Sequence, residues 1–397
     1  MINLAARDIA HGFGRYLLTS FGLGLLIGVT LTMAGVFRGM IDDAQVLLNS
    51  TGADIWVVQK DTLGPYAESS VLHEDVYRAI TGLSGVEETG NVTYLPMQVQ
   101  QGERDVRVMI AGFEPGHPGE PTFLVAGRPI TRSHYEAIAD IQTGFKLNEK
   151  IRIRRNEYTV VGLTRRMVSS GGDPMVFINL KDAQEAQFLK DNDAIYNDTQ
   201  RLAANPRLNR PGVPGLLDAV ESYQLSNHNI NAVLVRTGSG YDPTDVAENI
   251  KRWKHLGAFT RAEMKEILLA KLVATASRQI GMFLVILAVV SAAIIALIIY
   301  TMTTSKIKEI AVLKLIGTKN HTIAGMILQE SLGLGVIGFV VGKISATLWA
   351  PAFPKYVLLV FSDAVTAFFL TMVICVLASL LGIYAALRVD PASAIGG

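Results

Sequence analysis

The sequence predicts a membrane protein of four transmembrane helices, one plus three, with a large α/β extracytoplasmic domain of two lobes. Three observations predict it. The chain has 397 residues, of which 50% are hydrophobic and only 18% charged, whereas a soluble domain carries about 25% charged residues. Its apolar residues gather in one N-terminal and three C-terminal blocks, each near the roughly 20 residues that cross a bilayer core as a helix. Between the first block and the rest lies a long stretch of ordinary soluble composition.

The first block, Tyr16 to Phe37 (YLLTSFGLGLLIGVTLTMAGVF), carries no charge. A cleaved signal peptide has an apolar core of about 7–15 residues and then a small-residue cleavage site. This run is longer and is followed by Arg38, Gly39 and Met40, so it reads as a retained span over 16–39. The second span covers 279–302 and the third 321–345, with Glu330 inside it. The fourth covers 363–387 and contains the only cysteine, Cys375, which excludes an intramolecular disulfide framework. Gly24 with Gly28, and Gly338 with Gly342, are small-xxx-small pairs of the kind that lets helices approach closely.

Lys and Arg in short loops mark the cytoplasmic side. Arg7 and Arg15 lie in the N-terminal tail, Lys306, Lys308, Lys314 and Lys319 between spans two and three, and Arg388 after span four. Four spans with both termini cytoplasmic accommodate them, and residues 40–278 then lie outside, with a short external loop at 346–362. Residues 42–275 hold 25 Lys and Arg against 30 Asp and Glu, so the external segment is mildly acidic. The net charge of +1 gives no basic surface for nucleic acid.

Within the external segment, ADIWVVQK (53–60) reads as a strand, and VLHEDVYRAITGL (71–83) as a helix with Leu72, Val76, Ile80 and Leu83 on one face. VTYLPMQVQ and RDVRVMIAGF read as two strands joined near Gln101–Gly102. KIRIRRNEYTVVGLTRR is a further pair turning at Arg155–Asn156, and MVFINL is another strand. RLAANPRLNRPGVPG (201–215) holds three prolines and reads as an irregular loop. INAVLVRT is a strand, and DPTDVAENIKRWKHL a helix with Asp242 as N-cap and Pro243 at its first position. Two strand–helix units thus flank a strand-rich insertion, giving two lobes, about 45–110 with 228–270 and about 111–227.

No catalytic, cofactor or metal constellation is found. The seven histidines are scattered without paired-ligand spacing, and GxSxG is missing. Gly342–Lys343 sits in an apolar helix rather than in a glycine-rich loop after a strand, so it is no phosphate cradle.

The segment SKIKEIAVLKLIGTKN (305–320) between spans two and three is too ordered for a loose turn. No Gly or Pro interrupts Ser291 to Ile316, so span two is expected to continue as helix beyond the membrane. Lys306 and Glu309 are spaced to pair on one face, worth a few tenths of a kcal/mol. Lys314 complements the helix dipole in the last turn, and Gly317 stops the helix. Two readings stand on physics alone: a basic anchor on anionic headgroups, or a dock for a cytoplasmic partner. Glu309 and the apolar residues on more than one face are features that an anchor does not require.

EIAVLKLIGTKNHTIAGMILQES resembles the cytoplasmic signature of the FtsX/MacB/LolC/LolE permeases, with Glu309, Ile310, Leu313, Lys314, Gly317 and Glu330 matching; Ala311 and Leu315 depart from its common Gly and Ala. ALRVDPASAIGG resembles the family's C-terminal motif through Arg388, Asp390, Pro391 and Ala394. NEYTVVGLTRR with MVFINLKDAQ, and VLVRTGSGYDPTDVAENIKRW, resemble parts of its external domain. That domain, of about 240 residues, is longer than in FtsX itself and closer to MacB, LolC, LolE or the DevC-type exporters. The resemblance implies an ABC transporter permease of the mechanotransmission type, non-catalytic itself. ATP and magnesium would be held by a separate cytoplasmic ATPase dimer, since only some 15 residues precede the first span. It also implies porter-like and sabre-like lobes, an elbow helix over 1–15, and a second permease copy. Lys306, Ile307, Lys308, Glu309, Ile310, Leu313, Lys314, Gly317 and Lys319 would form the coupling element (303–320), with Glu330 at the entry to span three and 388–397 as tail. The implied work is export or extraction of a lipid, lipoprotein, glycolipid or peptide in the bacterial inner membrane, with a periplasmic adaptor and outer-membrane channel as further partners. The alternative is an FtsX-like signalling permease that activates a cell-wall hydrolase.

Overall fold

The computed structural model describes residues 13–102, 104–187, 192–206, 215, 228–253, 255–353 and 355–388. The expected elbow helix falls on residues 1–12 outside this set, apart from the first turn of the first helix. Asp390 and Pro391 also lie outside it. The chain divides into two units, Met1–Met40 with Thr275–Gly397, and Ile41–Ala274.

The first helix, α1, runs Phe13–Ser50, eleven residues past the expected end of span one. Its last turns belong to the external unit, where Ala44, Leu47 and Leu48 are buried in the core. The helix continues because its residues beyond the apolar run gain a second apolar surface to pack on, and no Gly or Pro after Gly39 stops it.

The external unit then runs β1 (Ile55–Gln59), β2 (Leu72–His73), α2 (Val76–Thr81), β3 (Val86–Gln101), β4 (Arg104–Phe113), β5 (Leu124–Gly127), β6 (Glu136–Asp140), β7 (Lys150–Ile153), β8 (Asn156–Thr164) and β9 (Met175–Asn179). It continues through α3 (Leu180–Gln187), α4 (Asn192–Ala203), β10 (Asn229–Ile230), β11 (Ala232–Thr237), α5 (Pro243–Lys251), β12 (Leu256–Thr260) and α6 (Arg261–Ile267). Ten strands form one sheet in the order β12-β1-β11-β3-β4-β9-β6-β8-β5, with β7 on β8 and touching the end of β3. β10 and β2 form a separate pair.

Both faces of the sheet's centre are covered, so its strands read as unbroken apolar runs. In β1, Trp56 and Val58 enter one core while Ile55 and Val57 enter another. In β4 and β9, Ala111, Phe113, Met175 and Phe177 share the first core, and Val108, Ile110, Val176 and Ile178 build a third. α2 and α5 cover the β1/β11 end through Ile80, Val246 and Ile250. Asp242 caps α5 by accepting from the Thr244 N–H at 2.8 Å, and Thr260 with Glu263 makes a capping box on α6.

Two local expectations change. The helix at 71–83 shrinks to α2, because Leu72 and His73 pair with β10 instead; Leu72 still joins Ile80 in one core. Arg201 to Ala203 end α4 rather than opening a loop.

The lobe boundary also differs from the expected break at 110/111. β3 is sixteen residues long. Its first part pairs with β11 up to Val92, and from Thr93 it pairs with β4. The second lobe therefore begins inside one strand. The buried Asn231 sits at this junction. Its side-chain oxygen accepts from Thr93 Oγ1 and Tyr94 N, both at 2.7 Å, and from Gln187 Nε2 at 3.2 Å. Its amide donates to the Ser70 carbonyl at 2.7 Å.

In the other unit, α7 (Ala274–Ser305), α8 (Ile307–Leu315), α9 (Asn320–Trp349) and α10 (Phe361–Leu387) follow. Stretches of α1, α7, α9 and α10 are long and apolar enough to cross a membrane. α1 crosses α9 at the small residues. A Cβ on Gly24 would lie 2.9 Å from the Gly338 carbonyl, and one on Gly342 2.7 Å from the Gly24 carbonyl. Gly28 approaches Gly342 and Ser345 in the same way. At the far end of α1, Arg38 holds Asp363 of α10 through two bonds of 2.9 and 3.0 Å.

Asn231→Leu would leave several buried groups unpaired at about 1–3 kcal/mol each. A loss on the order of 3 kcal/mol is expected, read as a thermal midpoint lower by roughly 6–12 °C; an unchanged midpoint would show that the junction contributes nothing. A pH effect follows from Glu74. Burial alone would raise its pKa, but bonds from Lys181, Gln184 and His228 outweigh that and bring it from 4.5 to about 2. Because the folded value is the lower one, this stabilisation is complete above the unfolded value and is lost as pH falls from 4.5 toward 2. It amounts to at most about 3 kcal/mol, reduced by the solvent that reaches the cluster. Acid titration of stability in Glu74→Gln should be flatter over that interval.

Candidate functional site

The candidate site is the connection from α7 through α8 to α9. α7 does not run on unbroken as expected. It ends at Ser305, and Lys306, with φ −101° and ψ 10°, separates it from α8. The expected Lys306–Glu309 pair is not formed. Lys306 Nζ instead meets Glu330 Oε1 at 3.0 Å, with both side chains largely buried. Magnitudes decide this. An exposed i, i+3 pair is worth a few tenths of a kcal/mol, whereas a buried carboxylate without a partner costs several.

α8 ends by a Schellman motif. The Gly317 N–H donates to the Lys314 carbonyl and the Thr318 N–H to the Leu313 carbonyl, both at 3.0 Å. This geometry needs Gly317 at φ +92°, where a Cβ is penalised. Lys314 reaches across to α10 and donates to the carbonyls of Ala386 and Leu387, at 3.1 and 2.9 Å. Those carbonyls lack partners within their own helix, and the negative end of the helix dipole favours a cation there. Ile310 and Ala311 are fully buried. Ile307, Ile310, Ala311 and Lys314 therefore form the face that ties α8 to the helical unit.

The opposite face is open. Lys308, Glu309, Val312, Leu315 and Ile316 fall within an arc of about 120° at 3.6 residues per turn. Leu315 is 63% and Ile316 76% exposed. Lys319 and Gly317 are also exposed, beyond the helix end, and Leu313 is half-buried between the faces. Glu330 lies ten residues inside α9 rather than at its entry, and the Tyr16 hydroxyl donates to its backbone carbonyl at 2.9 Å. Arg388 caps α10 and lies over the Tyr384 ring at 4.4 Å.

Two family models match the chain: the MacB-like periplasmic core domain over residues 16–253 and the FtsX-like permease C-terminal domain over residues 281–391. The chain belongs to the FtsX/MacB family of ABC transporter permeases. An uncharacterized ABC transporter permease of Mycobacterium tuberculosis is 22% identical over 397 residues, covering 100% of both chains. A putative hemin transport system permease of Staphylococcus haemolyticus is 22% identical over 406 residues, covering 100% of this chain and 99% of that one. The crystal structure of the periplasmic region of MacB from Actinobacillus actinomycetemcomitans aligns at 10% identity over 55% of this chain and 92% of that one, with a TM-score of 0.35.

Of the nine residues expected to act together in this permease, eight are divided between two tasks and Leu313 lies between them. Lys306, Ile307, Ile310 and Lys314 hold α8 in place, while Lys308, Glu309, Gly317 and Lys319 face outward. Val312, Leu315 and Ile316 were missed as surface residues. Their signal was apolar content on more than one face of a short charged helix. Among the described residues no group of three or more His, Cys, Asp or Glu is placed to hold a metal.

Removing Lys306 from the buried Lys306–Glu330 pair should destabilise the permease by about 3–5 kcal/mol, because the Glu330 carboxylate loses the cation held against it. Lys306→Met and Glu330→Met should each lower the thermal midpoint of the detergent-purified chain, and the double variant should recover most of the loss. Additive losses in that double-mutant cycle would show that the two side chains are not coupled.

Proposed function

We propose that this permease receives force from a cytoplasmic ATPase dimer docked on the open face of α8, and passes it to the external domain to drive export or extraction of an amphipathic cargo. The carrying observation is the division of α8 into two faces. One presents Val312, Leu315 and Ile316 with Lys308 and Glu309 beside them. The other is bound to α9 by Lys306–Glu330 and to α10 by Lys314. A helix so fastened moves with its neighbours when pushed, so docking energy spent on α8 is not lost in bending a loop. An exposed apolar patch with a charged rim is also what a protein partner covers.

Orientation follows from the basic residues. Four lysines in the α7–α9 connection favour the cytoplasmic side of a bacterial inner membrane, with both termini there too. ATP and magnesium then belong to the partner, and this chain contributes no catalytic residue. A second permease copy is part of the proposal. Only 17% of the apolar window of α7 is buried within the chain, against 39% for those of α1 and α9, which leaves α7 the most available to a neighbour. The cargo class is a lipid, lipoprotein, glycolipid or peptide. The hemin named for two staphylococcal relatives is a further amphipathic candidate.

The test is co-purification of the full-length permease with the cytoplasmic ABC ATPases of its host cell. Leu315→Asp with Ile316→Asp should reduce ATPase retention at least about tenfold, since a charge placed in a buried interface costs 2 kcal/mol or more. Arg132→Glu, in the external domain, should leave retention unchanged. Full retention by the double aspartate variant would exclude docking on this face.

A further inference from the structure

Among the described residues, the external unit carries an apolar edge that its core does not cover. β5 is the last strand of the ten-stranded sheet, paired on one side only, with β8. Exposed edge strands in soluble proteins are usually short and guarded by charge. Here the run Phe123, Leu124, Val125 is 49%, 38% and 50% exposed. The β5–β8 register shifts between Leu124 and Ala126, which takes Val125 out of the regular ladder. These side chains, with Val46 of α1, Arg165 and Arg166, line a cavity of about 370 Å³, within the size range of small-molecule sites, about 300–1,000 Å³.

The occupant is argued from charge and from chain connectivity. Arg165 stands at the rim, its backbone N–H bonded to the Phe123 carbonyl at 3.1 Å. Arg166 pairs with Asp42 of α1. Asp42 and Val46 follow the last uncharged residue of the first span, Phe37, by five and nine residues of continuous helix. At 1.5 Å per residue they lie at most about 8 and 14 Å beyond it. The headgroup layer of a bilayer is itself about 5–8 Å thick on each side. A cation beside an apolar trough, tethered at that distance, fits a molecule with a negative head and a hydrocarbon tail.

We propose that this edge binds an anionic phospholipid from the leaflet at the Phe37 end of α1. The acyl chain lies on Phe123, Leu124 and Val125, and the phosphate accepts from the Arg165 guanidinium. The lipid is a resident contact of the external unit and not the transported cargo, so the proposal needs the membrane crossing of α1 but not the docking of an ATPase.

Two measurements on the full-length permease test it. In native mass spectrometry of the detergent-purified chain, phosphatidylglycerol should be retained in preference to phosphatidylcholine. Arg165→Glu should lower that preference about tenfold, the effect of losing one charge-assisted hydrogen bond. To locate the lipid, the single native cysteine is replaced (Cys375→Ser) and an environment-sensitive fluorophore is attached at Val125→Cys. In nanodiscs its emission should be quenched by brominated phosphatidylglycerol, while a label at Arg132→Cys should not be. An unquenched Val125 label, or a lipid preference indifferent to Arg165→Glu, would overturn the proposal.

Discussion

A carboxylate inside an apolar helix bundle is costly unless a cation is held against it. Glu330 of α9 meets this condition through Lys306, which lies between α7 and α8. Much of the connection's geometry depends on that contact. Lys306 leaves helical geometry, so α8 becomes a separate nine-residue element rather than the tail of α7. Its position then lets Lys314 reach the last carbonyls of α10 and lets Ile310 and Ala311 sink into the bundle. Two lysines that a linear reading treats as surface charges thus tie three helices together.

The external unit solves a different problem by related means. A strand as long as β3 pairs with different neighbours along its length, first β11 and then β4, which flank it in the sheet. The partner changes at Val92–Thr93, where a regular ladder cannot supply every bond. Asn231 supplies them there, with both ends of its amide engaged. Buried polar groups of this kind contribute little net stability when satisfied and cost much when they are not. The two lobes are therefore joined by a shared strand and a polar hub rather than by a linker.

These two features bear on how a permease of this family works. In the proposed mechanism, force applied to α8 would meet a helix held by an ion pair, by two carbonyl bonds and by buried apolar contacts. The open face of the same helix keeps its apolar residues free for a partner. The proposed docking requires both, and they are compatible because an α-helix presents distinct faces at a period of 3.6 residues.

How much was legible in the sequence follows from the range of each interaction. The four apolar runs, the Asp242 cap, the Gly317 stop and the glycine pairs are local, set by composition or by residues within one turn of one another. They could be read directly, and with them the class of fold and the presence of a short helix between the second and third spans. The strand runs of the sheet were legible too, because burial on both faces leaves continuous apolar stretches such as IWVV. What the tertiary structure decided is every case in which a local partner competed with a distant one. Lys306 passes over Glu309, three residues away, for Glu330, twenty-four away. The change of partner falls inside β3, at Val92–Thr93, and not at the expected break of 110/111. Leu315 and Ile316, apolar enough to be buried, are left outside because the inner face is already filled by Ile310 and Ala311. For Lys306 and for β3 the reason is the same: desolvating an unpaired charge or backbone group costs several kcal/mol, a local pairing offers tenths, and only the folded chain brings the stronger partner within reach.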